Sequence, residues 1–247
     1  MSSASKDSPP NLSVVVPAYN EADFLADTLE SIRASREDLL RSTGVDAEIV
    51  VVDDQSSDGT GLIGASLADQ LVLGPRTTIG SARNAGAAAA SGATLVFIDA
   101  DTQIDRGVLF AISRAVGNGA CAGSIRATYE SDRPLVRVLL RFWDWYAPRR
   151  SITQGVCQFF DRSLFESLGG YRPDLRMAED TDLYHRAMSG RERTAFVSIS
   201  DVSVYPSMRR YDQGSVGKLW FQMNPLTTRF CRRSGWLWRD WYVDPPR

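Results

Sequence analysis

The sequence predicts an α/β protein in which a doubly wound, mainly parallel sheet is covered by helices on both faces. Two observations lead to this fold class. Short apolar, β-branched runs alternate with segments of helical periodicity through the N-terminal part of the chain, as strands and crossover helices do. The 247 residues are 43% hydrophobic and 23% charged, which provides a core and excludes disorder, collagen or coiled coil for the whole chain. A single domain is therefore expected.

The first half of the chain carries four predicted strands, each an apolar run bounded by turn or helix signals. These strands are expected at residues 12–17, 48–52, 71–73 and 94–98, with helices at residues 21–41, 57–70 and 81–91 between them. Strands buried on both faces have continuous apolar runs of this kind, and crossover helices make neighbouring strands parallel.

The second half has a looser pattern. Helices are expected at residues 105–116, 134–146, 163–168, 180–188 and about 214–233, and strands at residues 120–127, 153–160, 195–199 and 202–205. Residues 1–10 have no apolar segment like that of a signal peptide and are predicted to be a disordered leader. The main domain is expected at residues 11–210, followed by a basic, Trp-rich helix and tail at residues 211–247.

The rare residue types exclude several kinds of site. His185 is the single histidine, so a metal site with two or three histidine ligands is impossible. The three cysteines are widely spaced and form no C-x-x-C pair, which favours a reducing, cytoplasmic setting over a disulfide framework. No nucleic-acid-binding motif and no apolar run long enough to span a membrane is found. Carboxylates are thus the expected carriers of metal or proton chemistry.

Acidic and polar residues follow three of the first four predicted strands. They lie in residues 17–21, at Asp53 and Asp54, and at Asp99 and Asp101. Because ligands of open α/β sheets bind beyond the carboxyl ends of the strands, these side chains are expected at one site. Several carboxylates at one edge need a cation, and oxygen ligands favour Mg²⁺ or Mn²⁺ carrying a polyphosphate.

Four segments in fixed order give the chain a family resemblance: VVVPAYNEADFL, VVVDDQSSDGT, GSARNAGAAAASGATLVFIDAD and GGYRPDLRMAEDTDLYHR. The sequence resembles the family 2 glycosyltransferases over about residues 12–210. This resemblance implies the GT-A fold and an inverting transfer of a sugar from a nucleotide-diphosphate donor, a UDP- or GDP-sugar, assisted by Mg²⁺ or Mn²⁺. The implied acceptor is a hydroxyl or phosphate group, with membrane lipids and lipid phosphates among the candidates.

The resemblance also implies a role for each residue that matches a family motif. On the donor side these are Pro17, Ala18, Tyr19 and Glu21 beside the nucleotide, Asp53 and Asp54 at its base or ribose, Arg83 facing the donor, and Asp99 and Ala100 at the ribose. The remaining roles are metal binding for Asp101, diphosphate binding for Arg209 and Arg210, and general-base catalysis for Asp180.

General chemistry is consistent with these roles. Inversion needs a base within hydrogen-bond reach of the acceptor hydroxyl, and a carboxylate at the start of a helix can be held in place by that helix. Two other functions stay open. A nucleotidyltransferase would need a glycine- and lysine-rich phosphate loop near the first strand, but the chain has only two lysines, Lys6 and Lys218. A catalytically idle nucleotide-sugar-binding protein would bind donor without hydrolysing it.

The charge of the chain is divided between its halves. Residues 1–130 contain about 9 basic and 17 acidic residues, whereas residues 131–247 contain about 19 basic and 13 acidic residues and all six tryptophans. Arginines and aromatic residues together are typical of a bilayer interface, so contact of the basic half with the inner face of an anionic membrane is one interpretation. The alternative is that the basic helix and tail pack on the domain or on a second subunit.

Overall fold

A computed structural model describes residues 11–129, 131–146, 155–189, 195–209 and 232–234. The strands of these segments are β1 (Leu12–Ala18), β2 (Ala47–Asp53), β3 (Gln70–Leu73), β4 (Thr94–Ile98), β5 (Thr102–Ile104), β6 (Ala122–Ala127), β7 (Cys157–Asp161) and β8 (Phe196–Pro206). The helices are α1 (Leu25–Thr43), α2 (Thr60–Leu67), α3 (Ile79–Ala89), α4 (Val108–Gly117), α5 (Pro134–Tyr146), α6 (Arg162–Ser167) and α7 (Glu179–Met188).

All eight strands form one sheet in the order β3-β2-β1-β4-β7-β6-β8-β5. The first four neighbours are parallel, as predicted. Strand β7 then runs antiparallel to both β4 and β6, β6 and β8 are parallel, and β5 is antiparallel to β8. The predicted α/β class is confirmed, and the parallel part of the sheet is its N-terminal half.

Two apolar layers cover the sheet, one on each face. One layer includes Leu29 and Ile32 of α1 and Ile112 of α4. The other includes Ala87 of α3 and Leu183 of α7. These layers place the N-terminus of α7 on the face that α3 also covers, which decides what the candidate site contains.

Three local features of the structure differ from the prediction or were not predicted. Helix α1 begins at Leu25 instead of residue 21, because the amides of Phe24 and Leu25 both donate to the carbonyl of Glu21 and form a turn first. Strand β5 has three residues, too few for a periodic signal, and is formed by pairing with β8. The two strands predicted at residues 195–199 and 202–205 are one strand with an irregular register.

The predicted leader at residues 1–10 and most of the predicted C-terminal extension lie outside the described residues. Within the described part of the chain, no helix combines the length and the apolar character that crossing a bilayer requires.

Candidate functional site

The structure brings the ends of β1, β2 and β4 to one edge of the sheet. Ala18 and Asp53 are register partners, and the Asp54 amide donates to the Ala18 carbonyl at 2.8 Å. Pro17 and Ala18 are buried and are the last two residues of β1 at this edge. Ala100 follows β4, and its carbonyl accepts a hydrogen bond of 2.9 Å from the Thr28 hydroxyl. The backbone after each of the three strands is therefore held in place by neighbouring elements.

Tyr19 lies in a stack with an arginine that sequence analysis missed. The guanidinium carbon of Arg76 is 3.4 Å from the centroid of the Tyr19 ring. The Arg76 amide donates to Asp54 Oδ1 at 2.6 Å. Burial raises the pKa of Asp54, while the contacts with Arg76 oppose that rise. Arg76 follows β3, so the rule that ligand-binding groups follow strand ends, applied to the third strand as well, would have found it.

The two neighbouring aspartates after β2 face different partners. Asp53 Oδ1 accepts the amide of Ser56 at 2.9 Å. A Cβ at Gly61 would lie 2.6 Å from Asp53 Oδ2, so Asp53 is directed toward the start of α2. Asp54 is directed toward Arg76 instead. Of this pair, Asp54 is thus the residue beside Tyr19 and its stacked arginine.

Arg83 of α3 connects the end of β4 to the start of α7. Its guanidinium donates to Asp99 Oδ1 and to Glu179 Oε1, each at 2.7 Å. Arg83 is only 2% exposed, and its charged group lies 5.3 Å from the centroid of the Tyr171 ring. Burial opposes its charge, but Asp99 and Glu179 raise the pKa of Arg83, which stays protonated. The prediction that it borders the donor remains a prediction, because its guanidinium contacts these carboxylates from within the core.

Asp180 stands at the N-terminus of α7, directly after the two residues that build the helix start. Ala178 has a left-handed backbone, with φ of 59°, and Glu179 is held by Arg83. A Cβ at Gly155 would lie 2.7 Å from the Asp180 Cβ, so only glycine fits there. The next residue, Val156, accepts the amide of Asp99 at 3.2 Å. Two sets of contacts thus relate Asp180 to Asp99. One is the pair of ion pairs that Arg83 makes, and the other runs through the backbone of residues 155 and 156.

The environment of Asp180 favours its neutral form. Burial and the neighbouring carboxylate of Glu179 raise the pKa of Asp180 to about 7, against a lowering effect of Arg83. A carboxyl group with a pKa near neutrality can accept a proton from a hydroxyl and return it, which suits general-base chemistry.

Arg209 brings a positive charge to the site from the C-terminal half of the chain. It follows β8, and its guanidinium makes an ion pair with Glu21 and lies 3.3 Å from Asp101 Oδ2. Its charged carbon lies 4.3 Å from the centroid of the Phe24 ring. The Ser207 amide donates to the Asp101 carbonyl at 2.9 Å and fixes the backbone. Arg210, the other predicted diphosphate ligand, lies outside the described residues.

The residues present fit a divalent cation that a ligand helps to hold. The described part of the chain contains no group of three or more His, Cys, Asp or Glu side chains arranged to hold a metal. Mg²⁺ characteristically takes one or two carboxylates and completes its shell with water and substrate phosphates. Asp101 and Glu21 already direct oxygens at one cationic group, the Arg209 guanidinium. The donor set therefore suits Mg²⁺ or Mn²⁺ bound with a phosphate ligand.

A cluster of arginines surrounds Asp182 on α7. Arg186 Nε is 2.8 Å from Asp182 Oδ2, and Arg172 and Arg232 approach Oδ1 at 3.4 and 3.5 Å. The Arg176 amide donates to the Arg232 carbonyl at 2.8 Å. Part of the basic C-terminal region, residues 232–234, is thus packed on the loop before α7. The sequence pattern alone left this packing open.

The order of the strands and the helices on both faces of the sheet define a domain of GT-A architecture. The chain belongs to glycosyl transferase family 2, because the model of that family matches residues 13–173. Among curated proteins it is similar to the probable glycosyltransferase YdaM of Bacillus subtilis, with 27% identity over 199 residues. That match covers 70% of this chain and 46% of YdaM, so the chain spans about half the length of that relative.

Solved structures share the fold. The structure is similar to S. aureus TarS 1-349, with a TM-score of 0.63 and 19% identity, over 92% of this chain and 74% of that one. It is also similar to the mannosyltransferase PcManGT from Pyrobaculum calidifontis in complex with GDP-Man and Mn²⁺. That similarity has a TM-score of 0.58 and 25% identity, over 87% of this chain and 61% of that one. The GT-A fold predicted from the sequence is confirmed.

Proposed function

We propose that this protein transfers a sugar from a UDP- or GDP-sugar to a hydroxyl or phosphate acceptor, with inversion and with the help of Mg²⁺ or Mn²⁺. One observation carries the proposal: Arg83 holds Asp99, at the candidate donor edge, and Glu179, the neighbour of Asp180, in one buried ion-pair network. Such a network would hold a donor bound at Asp99 and the base Asp180 at a fixed distance from each other. The donors named for structurally similar proteins, UDP-GlcNAc for TarS and GDP-Man for PcManGT, support the substrate class.

The nucleoside would bind at the edge formed by β1 and β2. Tyr19 and Arg76 offer flat faces to a base, and Asp54 offers a carboxylate to base or ribose. Asp99 and Ala100 would lie at the ribose, with the Asp99 carboxylate oriented by Arg83.

The diphosphate would bind between Asp101 and Arg209. Asp101 would hold Mg²⁺ or Mn²⁺, and a bound cation there supplies charge that stabilises the diphosphate as a leaving group. Arg209 would add a second positive charge. Both groups lie at the same edge of the sheet, within 3.3 Å of each other.

Asp180 would accept the proton of the acceptor hydroxyl as that oxygen attacks the sugar carbon. Its pKa of about 7 lets it be deprotonated at neutral pH while it remains basic enough to take the proton. General-base assistance typically contributes ~10²–10⁴-fold to the rate.

An exposed face of α5 supports a lipid or lipid-phosphate acceptor at an anionic membrane. Leu135 and Val138 are 59% and 63% exposed, although Val136 and Leu140 of the same helix are buried. The arginine at position 137 is exposed between them. Apolar and cationic side chains on one exposed helix face are typical of helices that lie in a bilayer interface.

Thermal shift and hydrolysis of candidate donors test the proposed function. UDP- and GDP-sugars should stabilise the protein in Mn²⁺ and lose that effect in excess EDTA. A ligand at 100 times its dissociation constant adds about 2.7 kcal/mol. Asp101→Asn should lose the Mn²⁺-dependent part, whereas the matched control Asp201→Asn, at a surface carboxylate paired with Arg114, should not.

The same experiment separates the alternatives. Donor binding that is undiminished in EDTA would contradict the metal dependence. Slow hydrolysis of a bound UDP- or GDP-sugar supports a transferase, whereas binding with no hydrolysis and no transfer would indicate an idle nucleotide-sugar-binding protein. A nucleotidyltransferase would instead join a sugar phosphate to the nucleoside monophosphate part of a nucleoside triphosphate and release pyrophosphate.

A further inference from the structure

Arg209 occupies the place of a cation between the candidate metal ligand Asp101 and Glu21. We propose that Arg209 is a positioning residue that neutralises these carboxylates in the donor-free protein and moves to the diphosphate when donor and metal arrive. The metal and the nucleotide then bind as one unit, and the metal alone binds weakly. This inference rests on the proposed function, in which Asp101 binds the metal.

Burial makes a cation at this place necessary. The side chains of Arg209 and Glu21 are 7% and 8% exposed, and that of Asp101 is 17% exposed. A buried carboxylate without a positive partner is destabilising, because the loss of its hydration is not compensated. The guanidinium removes that cost before any ligand is bound. In the donor-free protein, Arg209 therefore does for Asp101 what a metal would do in the complex.

The charges favour joint binding over binding of the metal alone. The two carboxylates and the guanidinium together carry one negative charge. A divalent cation added alone would face the guanidinium directly, which is a repulsive contact in a partly buried environment. A sugar nucleotide brings two negative charges on its diphosphate. Metal and donor together therefore add no net charge, and the metal and the guanidinium both have an anionic partner.

The contacts of Arg209 allow its side chain to take a second position, toward the diphosphate. Its Nε is buried and has no hydrogen-bond partner among the residues that the structure describes, although a guanidinium has five N–H donors. The backbone directly before Arg209 is fixed: the Ser207 amide donates to the Asp101 carbonyl, and Met208 is buried against Val136 of α5. The side chain rests on the face of the Phe24 ring, which restricts its rotation without binding its nitrogens. The guanidinium can therefore move by side-chain rotation while residues 207 and 208 keep their contacts.

Binding of Mn²⁺ measured by electron paramagnetic resonance, without and with UDP or GDP, tests the inference without an activity assay. In the wild-type protein, the nucleotide should tighten Mn²⁺ binding strongly, and Mn²⁺ should tighten nucleotide binding by the same factor. Arg209→Met should tighten binding of Mn²⁺ alone by about tenfold or more, and it should reduce that factor, because the competing charge is gone. Arg209→Lys, which keeps the charge, should resemble the wild type.

Controls separate this inference from the proposed function. Arg114→Met removes a positive charge from a surface pair with Asp201 and should leave Mn²⁺ binding unchanged. Equal or weaker binding of Mn²⁺ alone by Arg209→Met overturns the inference; Arg209→Gln repeats the test if the methionine variant does not fold. Retention of Mn²⁺–nucleotide binding by Asp101→Asn would remove the metal from Asp101 and so overturn the proposed metal site as well.

Discussion

Arg83 is buried, and it is charged because two carboxylates from distant segments pay the electrostatic cost of its burial. Asp99 follows β4, and Glu179 begins α7, 96 positions after Arg83 in the chain. Glu179 therefore orders the helix start that carries Asp180, and its own charge contributes to the raised pKa of Asp180. One ion-pair network thus both places the candidate base and adjusts its proton affinity.

The raised pKa of Asp180 predicts a pH dependence of catalysis. Because a base must be deprotonated to act, transfer of sugar should increase as pH rises from 6 to 8, with a midpoint near the pKa of about 7. Asp180→Asn should keep donor affinity nearly intact, lower turnover by ~10²–10⁴-fold and lose this pH dependence. Steady-state kinetics over that pH range provide the measurement. Near-normal turnover of the variant would show that another group is the base.

The same shift predicts an effect on stability that has the opposite direction. A carboxyl group whose pKa is higher in the folded than in the unfolded protein favours folding below its unfolded pKa of about 3.8, and this contribution is lost as pH rises to about 7. Asp180→Asn should therefore stabilise the donor-free protein at pH 8.5 more than at pH 4.5. Thermal unfolding of both proteins at the two pH values measures this. An equal effect at both would mean that Asp180 ionises normally.

At the scale of elements, α7 is held through its own acidic residue and the arginines around it. Arg186 contacts Asp182 and also donates to the carbonyls of Leu168 and Gly170, so it fastens the loop before α7 to the helix. Arg232 brings the C-terminal segment to the same carboxylate. The position of the candidate base therefore depends on a segment that is distant in sequence.

Removal of the shared carboxylate should loosen this arrangement. Asp182 is 9% exposed in its side chain, so Asp182→Asn leaves partly buried arginines without their partner and should cost about 2–4 kcal/mol of unfolding free energy, near the range for broken buried pairs. The matched control Asp174→Asn breaks an exposed pair with Arg233 and should cost less than about 1 kcal/mol. Urea unfolding measures both values. Similar small losses would show that the cluster does not hold α7.

At the scale of the whole molecule, the acidic N-terminal half contains most of the candidate donor site, and the basic half contains α5. Asp54, Asp99 and Asp101 lie in the first half, whereas the exposed apolar residues Leu135 and Val138 lie in the second. This division would let one surface contact an anionic membrane while the donor edge stays in water.

Vesicle binding tests this division. The protein should sediment with vesicles that contain anionic lipid, and salt should weaken binding because it screens charge. The double variant Leu135→Glu, Val138→Glu should bind less, while Leu62→Glu, at a leucine that is 80% exposed on α2, should bind like the wild type. Equal binding by all three proteins, or no binding at low salt, would contradict a membrane role for α5. Dimerisation that depends on Leu135 and Val138 would instead identify this face as a subunit contact.

The sequence by itself determined the α/β class, the order of the first four strands along the chain and the carboxylates that follow them. Apolar runs and helical periodicity are local signals, and the rule that strand ends form the site needs only the strand positions. Residues 14–16 and 50–52, for example, are runs of valine, and short β-branched runs of this kind favour buried strands. Once the strands are predicted, the residues at their ends are identified as well.

Only the tertiary structure decided which side chains meet. Arg209 and Glu21 are 188 positions apart, and their ion pair depends on where β8 ends relative to β1. The antiparallel direction of β7 and the pairing of the three-residue strand β5 also follow from the path of the chain. In the sequence alone, any of many carboxylates could be the partner of a given arginine. Packing of the sheet and its two helical layers brings only one or two of these carboxylates within reach of the arginine. A buried charge is stable only beside such a partner.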